Sequence, residues 1–333
     1  MDEPVVPPPW LGERELFENL GWAGAVQAVG EALAAGLDPA QVPARQAVPV
    51  AAGELLLMPA EWGGSAGVKV AGVAPGNPER GLPRIQGTYL LLDAATLTLR
   101  ALVDGTALTT LRTPAVSAWA AAVLARPDAA RLVVFGSGPQ AWGHVHALRA
   151  VRPLTDVGVC GRDPGRRDAL VARLREEGVA ARPVGAEAVG EADVVACCTS
   201  SRTPVLDGAL VRDGSCVVAV GSHHPAAREL DGALLARSTV VVEDRDTALR
   251  EAGDVVLAVQ EGLLDPAALV GVAELARDRA QLQPWGAGPR VFKGSGMAWE
   301  DLVVATAAHH AAAGADGGGS ADPPGAGRAK VGP

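Results

Sequence analysis

The feature that most constrains the fold of this chain is the stretch LVVFGSGPQAWGHVH at residues 132–146. Four apolar residues lead into a glycine turn and then a helical apolar pattern, which predicts a strand, a turn and a helix in succession. The turn has the spacing GxGxxA, with Gly136, Gly138 and Ala141 at its fixed positions. Such a turn brings backbone N–H groups close to a ligand, although glycines also mark ordinary βα turns. The strand and helix on either side favour a dinucleotide-binding unit.

The turn and the sheet edge beyond it form the predicted cofactor site. The helix N-terminus after the turn favours phosphate, because its unpaired N–H groups and the helix dipole both attract an anion. Further contacts are expected where later strands of such a sheet end. The predicted cofactor-binding residues are Gly136, Gly138, Pro139, Gln140, Ala141, Thr199, Ser200, Gly221 and Ser222, with Ser295 in a close-approach glycine loop and Arg162 discussed below.

Further strand candidates follow the fingerprint at regular intervals, with helical patterns between them. They cover residues 156–160, 193–198, 216–220 and 239–242. This alternation predicts a mostly parallel, doubly wound sheet of the Rossmann type, in the α/β class.

The chain before the fingerprint has a different pattern. A helix is predicted around 26–37, strands at 55–58 and 67–73, and two more strands within GTYLLLDAATLTLRALVDG. Together these strands predict an antiparallel platform, and a helix at 106–125 connects it to the nucleotide-binding fold. The segment ending in DLVVATAAHHAA predicts a last helix that crosses back to the platform.

Composition limits the classes of function. The 333 residues are 48% hydrophobic, which is enough for a large core and suggests two domains or one elaborated domain. The net charge of −9 argues against nucleic acid as a partner. Four cysteines lie in apolar runs without a CxxC pair, which indicates buried thiols in a reducing compartment. Because neither a signal peptide nor a membrane span is recognisable, the expected location is the cytoplasm. We predict no metal site, and a disordered, glycine- and proline-rich tail at 314–333.

Two cations stand out before any comparison with a family. Lys69 lies in the middle of the apolar strand GVKV, where a buried ammonium group must be paired or deprotonated, unless it points to solvent from an edge strand. Arg112, in TTLRTPA, offers a planar fork that matches a carboxylate, although a surface salt bridge is the alternative.

The end of the second strand of the nucleotide fold bears on cofactor choice. Folds that prefer NAD place an acid there, about 20 residues past the fingerprint, to bind the ribose hydroxyls. If this strand ends at Cys160, the acid is replaced by Gly161 and followed by Arg162, which suits a 2′-phosphate. NADP(H) is therefore favoured and NAD(H) remains possible, since a register shift of two residues would restore an acid at Asp163.

Several motifs in sequence order resemble the ornithine cyclodeaminase and mu-crystallin family. They are MPAEW, GVKV, PGNP, GLPRIQGTYLLLD, LVDGTALTTLRTPAVSA, GSGPQA, AVGSHHPAARELD, EAGDV and VFKGSGMAWEDL, spanning about residues 40–310. The resemblance implies a homodimer and chemistry on amino acids or cyclic imino acids with a nicotinamide cofactor. It also implies a substrate-binding and dimerisation domain of the α+β type, residues 1–113 plus 303–313, with the NAD(P)-binding Rossmann domain, 114–302, inserted in it.

The same resemblance implies roles for individual residues. Substrate binding falls to Arg45, Met58, Lys69 and Arg112, and catalysis to Lys69 and Asp231. A carboxyl group at Asp231 could move a proton to and from the reacting nitrogen, although an aspartate at the start of a helical run is also an ordinary N-cap. Lys293 matches a family lysine without an assigned role. The histidine pair 223–224 is interpreted as solvated, and the pair 309–310 lies on the last helix without a set of metal-ligand partners.

The favoured reaction is NADPH-dependent reduction of a small cyclic ketimine, such as Δ1-pyrroline-2-carboxylate or Δ1-piperideine-2-carboxylate. The preference for NADPH supports it, because an ornithine cyclodeaminase regenerates its cofactor in place. Ornithine cyclodeaminase, an amino-acid dehydrogenase and a non-catalytic NADPH-dependent ligand-binding protein remain the alternatives.

Overall fold

The computed structural model describes residues 7–278 and 287–317, and its framework is two β-sheets. The smaller sheet has the strand order β1-β6-β5-β4-β3-β2. Its strands are β1 (Trp10–Leu11), β2 (Gln46–Val50), β3 (Gly53–Trp62), β4 (Ser65–Val73), β5 (Ile85–Asp93) and β6 (Leu99–Asp104). Neighbours are antiparallel except β1, which runs parallel to β6. The antiparallel platform is therefore confirmed, and β1 and β2 extend it at both edges.

The larger sheet is wholly parallel, as the alternating pattern predicts. It has the order β13-β12-β14-β11-β10-β7-β8-β9. Its strands are β7 (Arg131–Phe135), β8 (Asp156–Cys160), β9 (Ala181–Pro183), β10 (Val194–Cys197), β11 (Cys216–Ala219), β12 (Thr239–Val242), β13 (Val270–Gly271) and β14 (Arg290–Lys293). The chain winds from β7 to β8 and β9 on one side and then from β10 outward on the other. The strand order thus reverses between β7 and β10, where such sheets bind ligands.

One central strand was not predicted from the sequence. β14 lies between β11 and β12, in register with both. It consists of RVFK, in which the two end residues, Arg290 and Lys293, are buried charged side chains. An apolar run of only two residues does not distinguish a strand from a loop, so the pattern of the sequence alone did not indicate it.

The described helices pack on both sheets. They are α1 (Glu13–Asn19), α2 (Gly21–Ala34), α3 (Gly105–Leu124), α4 (Pro139–Val151), α5 (Pro164–Glu176), α6 (Gly232–Ala236), α7 (Arg245–Glu251), α8 (Gly253–Gln260), α9 (Val272–Arg277) and α10 (Ala298–Gly317). The predicted helix at 26–37 corresponds to α2, which starts five residues earlier. α3 begins at Asp104, whose carboxylate accepts the N–H groups of Thr106 and Ala107 and so caps the helix.

The last helix returns to the smaller sheet, as predicted. α10 packs against β3, β4 and β5 and against α2. It continues to Gly317, four residues into the predicted tail, and residues 318–333 lie outside the described part of the chain. Residues 279–286 also lie outside it. Among the described helices, none combines the length and apolar character needed to cross a bilayer.

Candidate active site

A row of three side chains on the smaller sheet marks the substrate side of the site. Met58 on β3 pairs with Lys69 on β4, and Lys69 pairs with Tyr89 on β5. Directly paired residues point to the same face of a sheet, and all three are buried. The structure therefore brings two of the predicted substrate residues together, and Lys69 does not point to solvent.

Lys69 has a carboxylate partner in the interior. Its Nζ donates to both oxygens of Asp301 at 2.9 and 2.8 Å and to Thr109 Oγ1 at 3.3 Å. Burial lowers the pKa of Lys69 to about 8, and Arg112 acts in the same direction, whereas Asp301 opposes the change. An amine with this pKa can hold a carboxylate and can also give up a proton near neutral pH.

Arg112 shares Asp301 with Lys69. Its guanidinium is buried on α3, donates to Glu300 and lies 3.2 Å from Asp301 through Nε, which is not aligned for a hydrogen bond. Burial opposes its charge, but Asp301 and Glu300 together raise the pKa of Arg112. Arg112 is therefore a permanent cation beside Lys69, and the surface salt bridge considered as its alternative is excluded.

Arg45 lies at the rim of the same site. One of its terminal nitrogens donates to the carbonyl oxygens of Ser295 and Gly296, at 3.1 and 3.0 Å, and lies 2.8 Å from Glu251. The pocket that Arg45 and Met58 line has a cavity of about 10 Å³, room for about one water. The Arg45–Glu251 pair therefore narrows this rim of the site.

The fingerprint turn has the geometry of a phosphate cradle. Gly136 has φ of +117°, and a Cβ there would lie 2.6 Å from the carbonyl oxygen of Cys198. At Gly138, the N-cap of α4, a Cβ would meet nothing within 4 Å. Since the first N–H groups of a helix lack helical partners, this open space in front of α4 can hold a pyrophosphate. These residues fit a dinucleotide.

A buried glutamate joins the neighbouring strand ends at which the remaining cofactor contacts are predicted. Glu229 accepts the N–H and hydroxyl of Thr199, after β10, and the N–H of Gly221, after β11. Gly221 is packed so closely that a Cβ would lie 1.8 Å from the carbonyl oxygen of Thr199. Ser200 is exposed and Ser222 is buried at the same edge of the sheet. The edge is thus held in one shape before any ligand binds.

Lys293 supports the same edge from below. Its buried ammonium donates to the carbonyl oxygens of Ser222, at 2.6 Å, and Gly294, and lies 3.7 Å from Asp254. We therefore assign Lys293 a structural role, in which its ammonium group binds backbone carbonyl groups at the strand ends. Burial, followed by the charge of Arg45, lowers the pKa of His223.

The end of β8 agrees with the predicted register. β8 ends at Cys160, and Gly161 and Arg162 follow it. The carboxylate of Asp163 accepts the N–H of Arg166 at 3.1 Å, because Asp163 is the N-cap of α5. Arg162 is exposed and makes no hydrogen bond or ion pair with the described residues. One carboxylate oxygen of Asp163 is thus engaged in capping α5, and the exposed Arg162 directly follows Gly161 at the strand end.

Asp231, unlike Lys69, has backbone N–H groups as its hydrogen-bond partners. Its two oxygens accept the N–H of Leu234, as the N-cap of α6, and the N–H of Gly208, both at 2.7 Å. None of its described contacts is with Lys69 or Arg112. Its N-cap role is confirmed, whereas its role in proton transfer stays a prediction that this geometry does not favour.

Substitution of Asp231 by alanine separates the two roles. Loss of the cap should destabilise the fold by about 1 kcal/mol and lower the melting temperature, while kcat of the folded protein should stay within threefold. Thermal unfolding and steady-state kinetics on the same preparation measure both quantities. A fall in kcat of a hundredfold or more would restore Asp231 as the proton donor.

Four acidic residues of the site were missed by the sequence analysis. Asp301 and Glu300 come from the first turn of α10, Glu243 follows β12, and Glu251 ends α7. Acids in a first helical turn are expected for the helix dipole alone, so their burial was not indicated. The one available signal was a buried cation at Lys69, which needs an acidic partner from elsewhere in the chain.

Comparison with known proteins points to one family. A profile of the ornithine cyclodeaminase/mu-crystallin family matches residues 15–316. A Delta(1)-pyrroline-2-carboxylate reductase of Paracoccus denitrificans is 36% identical over 244 residues, 72% of this chain and 77% of that protein. A Delta(1)-pyrroline-2-carboxylate/Delta(1)-piperideine-2-carboxylate reductase of Azospirillum brasilense is 35% identical over 300 residues, 90% of this chain and 91% of its own length. The solved Thermococcus litoralis Delta(1)-pyrroline-2-carboxylate reductase, in complex with NADH and L-proline, has a TM-score of 0.85 at 27% identity, covering 92% and 98% of the two chains.

Proposed function

The chain belongs to the ornithine cyclodeaminase/mu-crystallin family, and we propose that this enzyme reduces a small cyclic ketimine carboxylate to the cyclic amino acid, with NADPH as its preferred cofactor. The observation that carries the proposal is the buried pair of cations, Lys69 and Arg112, held by one carboxylate next to the loop that follows β14. Two cations of this kind suit a single carboxylate on a planar ring.

Each residue of the site has its own role in the proposed reaction. Lys69 and Arg112 hold the substrate carboxylate, and Arg45 closes the site after exchanging Glu251 for the substrate. Bound NADPH supplies the hydride that the imine carbon receives. Since the pKa of Lys69 is about 8, its ammonium can also protonate the imine nitrogen, and Asp301 keeps it oriented. Burial of these groups excludes water and holds the substrate ring in one orientation. This orientation contributes much of the rate enhancement.

Turnover with purified protein tests the proposal. NADPH or NADH is offered with the five- and six-membered cyclic ketimine carboxylates, and nicotinamide absorbance is followed over many turnovers. We expect oxidation of NADPH with both rings. Absence of oxidation with either cofactor would reject the proposal for these substrates.

The alternatives give different products in the same assay. An ornithine cyclodeaminase releases ammonia from ornithine with a catalytic amount of NAD, and an amino-acid dehydrogenase reduces NAD(P) with an amino acid. A ligand-binding protein binds the imine without turnover. Burial of Lys69 beside Arg112 and Asp301 argues against the last alternative, because a carrier has no need of a lysine with a lowered pKa.

The free cations after β8 support the preference for NADPH. Arg162 and the exposed Arg166 flank the position that an acid occupies in NAD-preferring folds. We expect Arg162→Ala to raise the KM for NADPH about tenfold or more and to leave the KM for NADH within twofold. Arg149→Ala, at the far end of α4, is the matched control for the loss of a surface arginine. An equal change for both cofactors would remove Arg162 from phosphate recognition.

We also propose that the chain forms a homodimer through its smaller sheet. β2 is exposed along its whole length, and Val48, Val50 and Leu55 present apolar side chains there. An edge strand of this kind pairs readily with a second chain. Light scattering after gel filtration measures the mass, and a monomer would contradict the proposal.

The four cysteines, none in a disulfide, support a reducing and therefore cytoplasmic setting.

A further inference from the structure

Two carboxyl groups meet in the interior between the two sheets. Glu243 follows β12 in the larger sheet, and Glu300 lies in the first turn of α10, which packs on the smaller sheet. The two side chains are 4% and 1% exposed, and both accept hydrogen bonds from the loop after β14. Carboxyl groups are seldom buried in this way, because each must be neutralised or satisfied by several donors.

Glu243 and Glu300 together satisfy three consecutive backbone N–H groups of the loop after β14. Glu243 accepts the N–H of Ser295 at 2.9 Å, its hydroxyl at 3.0 Å and the N–H of Gly296 at 3.1 Å. Glu300 accepts the N–H of Met297 at 2.7 Å. This loop therefore depends for its shape on the two carboxyl groups.

Glu300 also connects the carboxyl pair to the substrate side of the site, because it contacts Arg112. Glu300 accepts from the Arg112 guanidinium. Gly296, with φ of +79°, lies so near this arginine that a Cβ there would be 2.7 Å from one terminal nitrogen. Any movement of the loop therefore moves the guanidinium, and the reverse also holds.

Neighbouring buried carboxylates repel one another, so one of them retains a proton. Burial, followed by the charge of Glu243, raises the pKa of Glu300 well above its usual range. Lys69 and Arg112 are then balanced by Asp301 and by the single negative charge left on the pair. With both glutamates ionised, the cluster would carry an excess negative charge and would repel a substrate carboxylate.

We infer that Glu243 and Glu300 are positioning residues that hold Arg112 and the Ser295–Met297 loop in one arrangement, so that the substrate carboxylate and the cofactor edge are aligned. The inference rests on the proposed function, because it concerns the binding of the same imino acid. Neither glutamate touches the reacting atoms in this arrangement. Each acts through Arg112 or through the loop backbone.

Substitutions that keep or remove the hydrogen bonds test the inference. In Glu300→Gln, the amide oxygen can still accept from Arg112 or from Met297 but not from both, so the KM for the imino acid should rise less than in Glu300→Ala. In Glu300→Ala, Arg112 loses its partner, and this KM should rise at least tenfold while the KM for NADPH stays within twofold. Glu243→Ala releases the loop and should lower kcat at least tenfold, whereas Glu243→Gln should retain most of it.

Binding measurements keep the test valid if an alanine variant folds poorly or if turnover is absent. The fluorescence of bound NADPH measures the concentration of folded cofactor sites. Calorimetry with L-proline, the product of the five-membered imine, measures the affinity of the site that holds the substrate carboxylate. Glu300→Asp keeps a carboxyl group but withdraws its oxygens, and should weaken proline binding at least fivefold. Glu274→Gln, which removes a carboxylate from the remote Arg245–Glu274 pair, is the control for loss of an ion pair.

The outcomes are distinct. If the alanine variants lose folded sites but bind proline and turn over normally per folded site, the pair has only a structural role and the inference is wrong. It is also wrong if Gln and Ala at Glu300 have equal effects. If wild type binds proline and the variants weaken that binding while no imine is reduced, the proposed reaction fails and the positioning role stands.

Discussion

Replacement of Lys69 by methionine is expected to lower kcat/KM for the imino acid at least about a thousandfold. Methionine fills the same space beside Met58 and Tyr89 but carries neither the charge that holds the carboxylate nor the proton for the imine nitrogen. Steady-state kinetics with NADPH measure the change. NADPH binding should be unaltered, since Lys69 lies on the smaller sheet and the phosphate cradle lies on the larger one.

The pH profile provides the control for this substitution. Because the pKa of Lys69 is about 8, the ammonium form is present below this pH and is lost above it. We expect kcat/KM of the wild type to fall as the pH rises through about 8. In Lys69→Arg, the side chain stays charged, so the fall of kcat/KM with rising pH should move to higher pH even if the overall rate is low. A methionine variant within tenfold of wild type would exclude Lys69 from the chemistry.

Replacement of Asp301 by alanine is expected to destabilise the protein by about 3–5 kcal/mol. Asp301 is completely buried and is the carboxylate shared by Lys69 and Arg112, so its removal leaves two cations in contact with no common counter-charge. Urea unfolding followed by circular dichroism measures the free energy of unfolding.

Asp301→Asn separates charge from shape in the same position. The amide keeps the volume and one acceptor but removes the negative charge, so it should also destabilise the fold, and the pKa of Lys69 should fall further. The alkaline limb of kcat/KM should then move to lower pH. The exposed Asp156–Arg182 pair provides the comparison, since Asp156→Ala should cost only about 1 kcal/mol or less. Equal losses at the two positions would contradict a special role for Asp301.

The comparison between sequence and structure is clearest at Lys69. A lysine within GVKV already predicts a buried cation that needs a partner, because the physical cost of burying a charge is local to that residue. Its partner lies 232 positions later in the chain, and no periodicity or spacing connects the two. Contacts of this range are set by how α10 crosses the smaller sheet.

The sequence by itself determined the parts of this protein that depend on short-range rules. The GxGxxA turn, the strand rhythm from β7 to β12, the register of β8 and the N-cap at Asp231 follow from steric freedom, apolar periodicity and local hydrogen bonding. Only the tertiary structure decided which acids enter the site, that Asp163 is already engaged, and that β14 lies at the centre of the sheet. The physical reason is that burial and charge pairing depend on which distant segments come together, and the chain folds them together through packing that has no local signature.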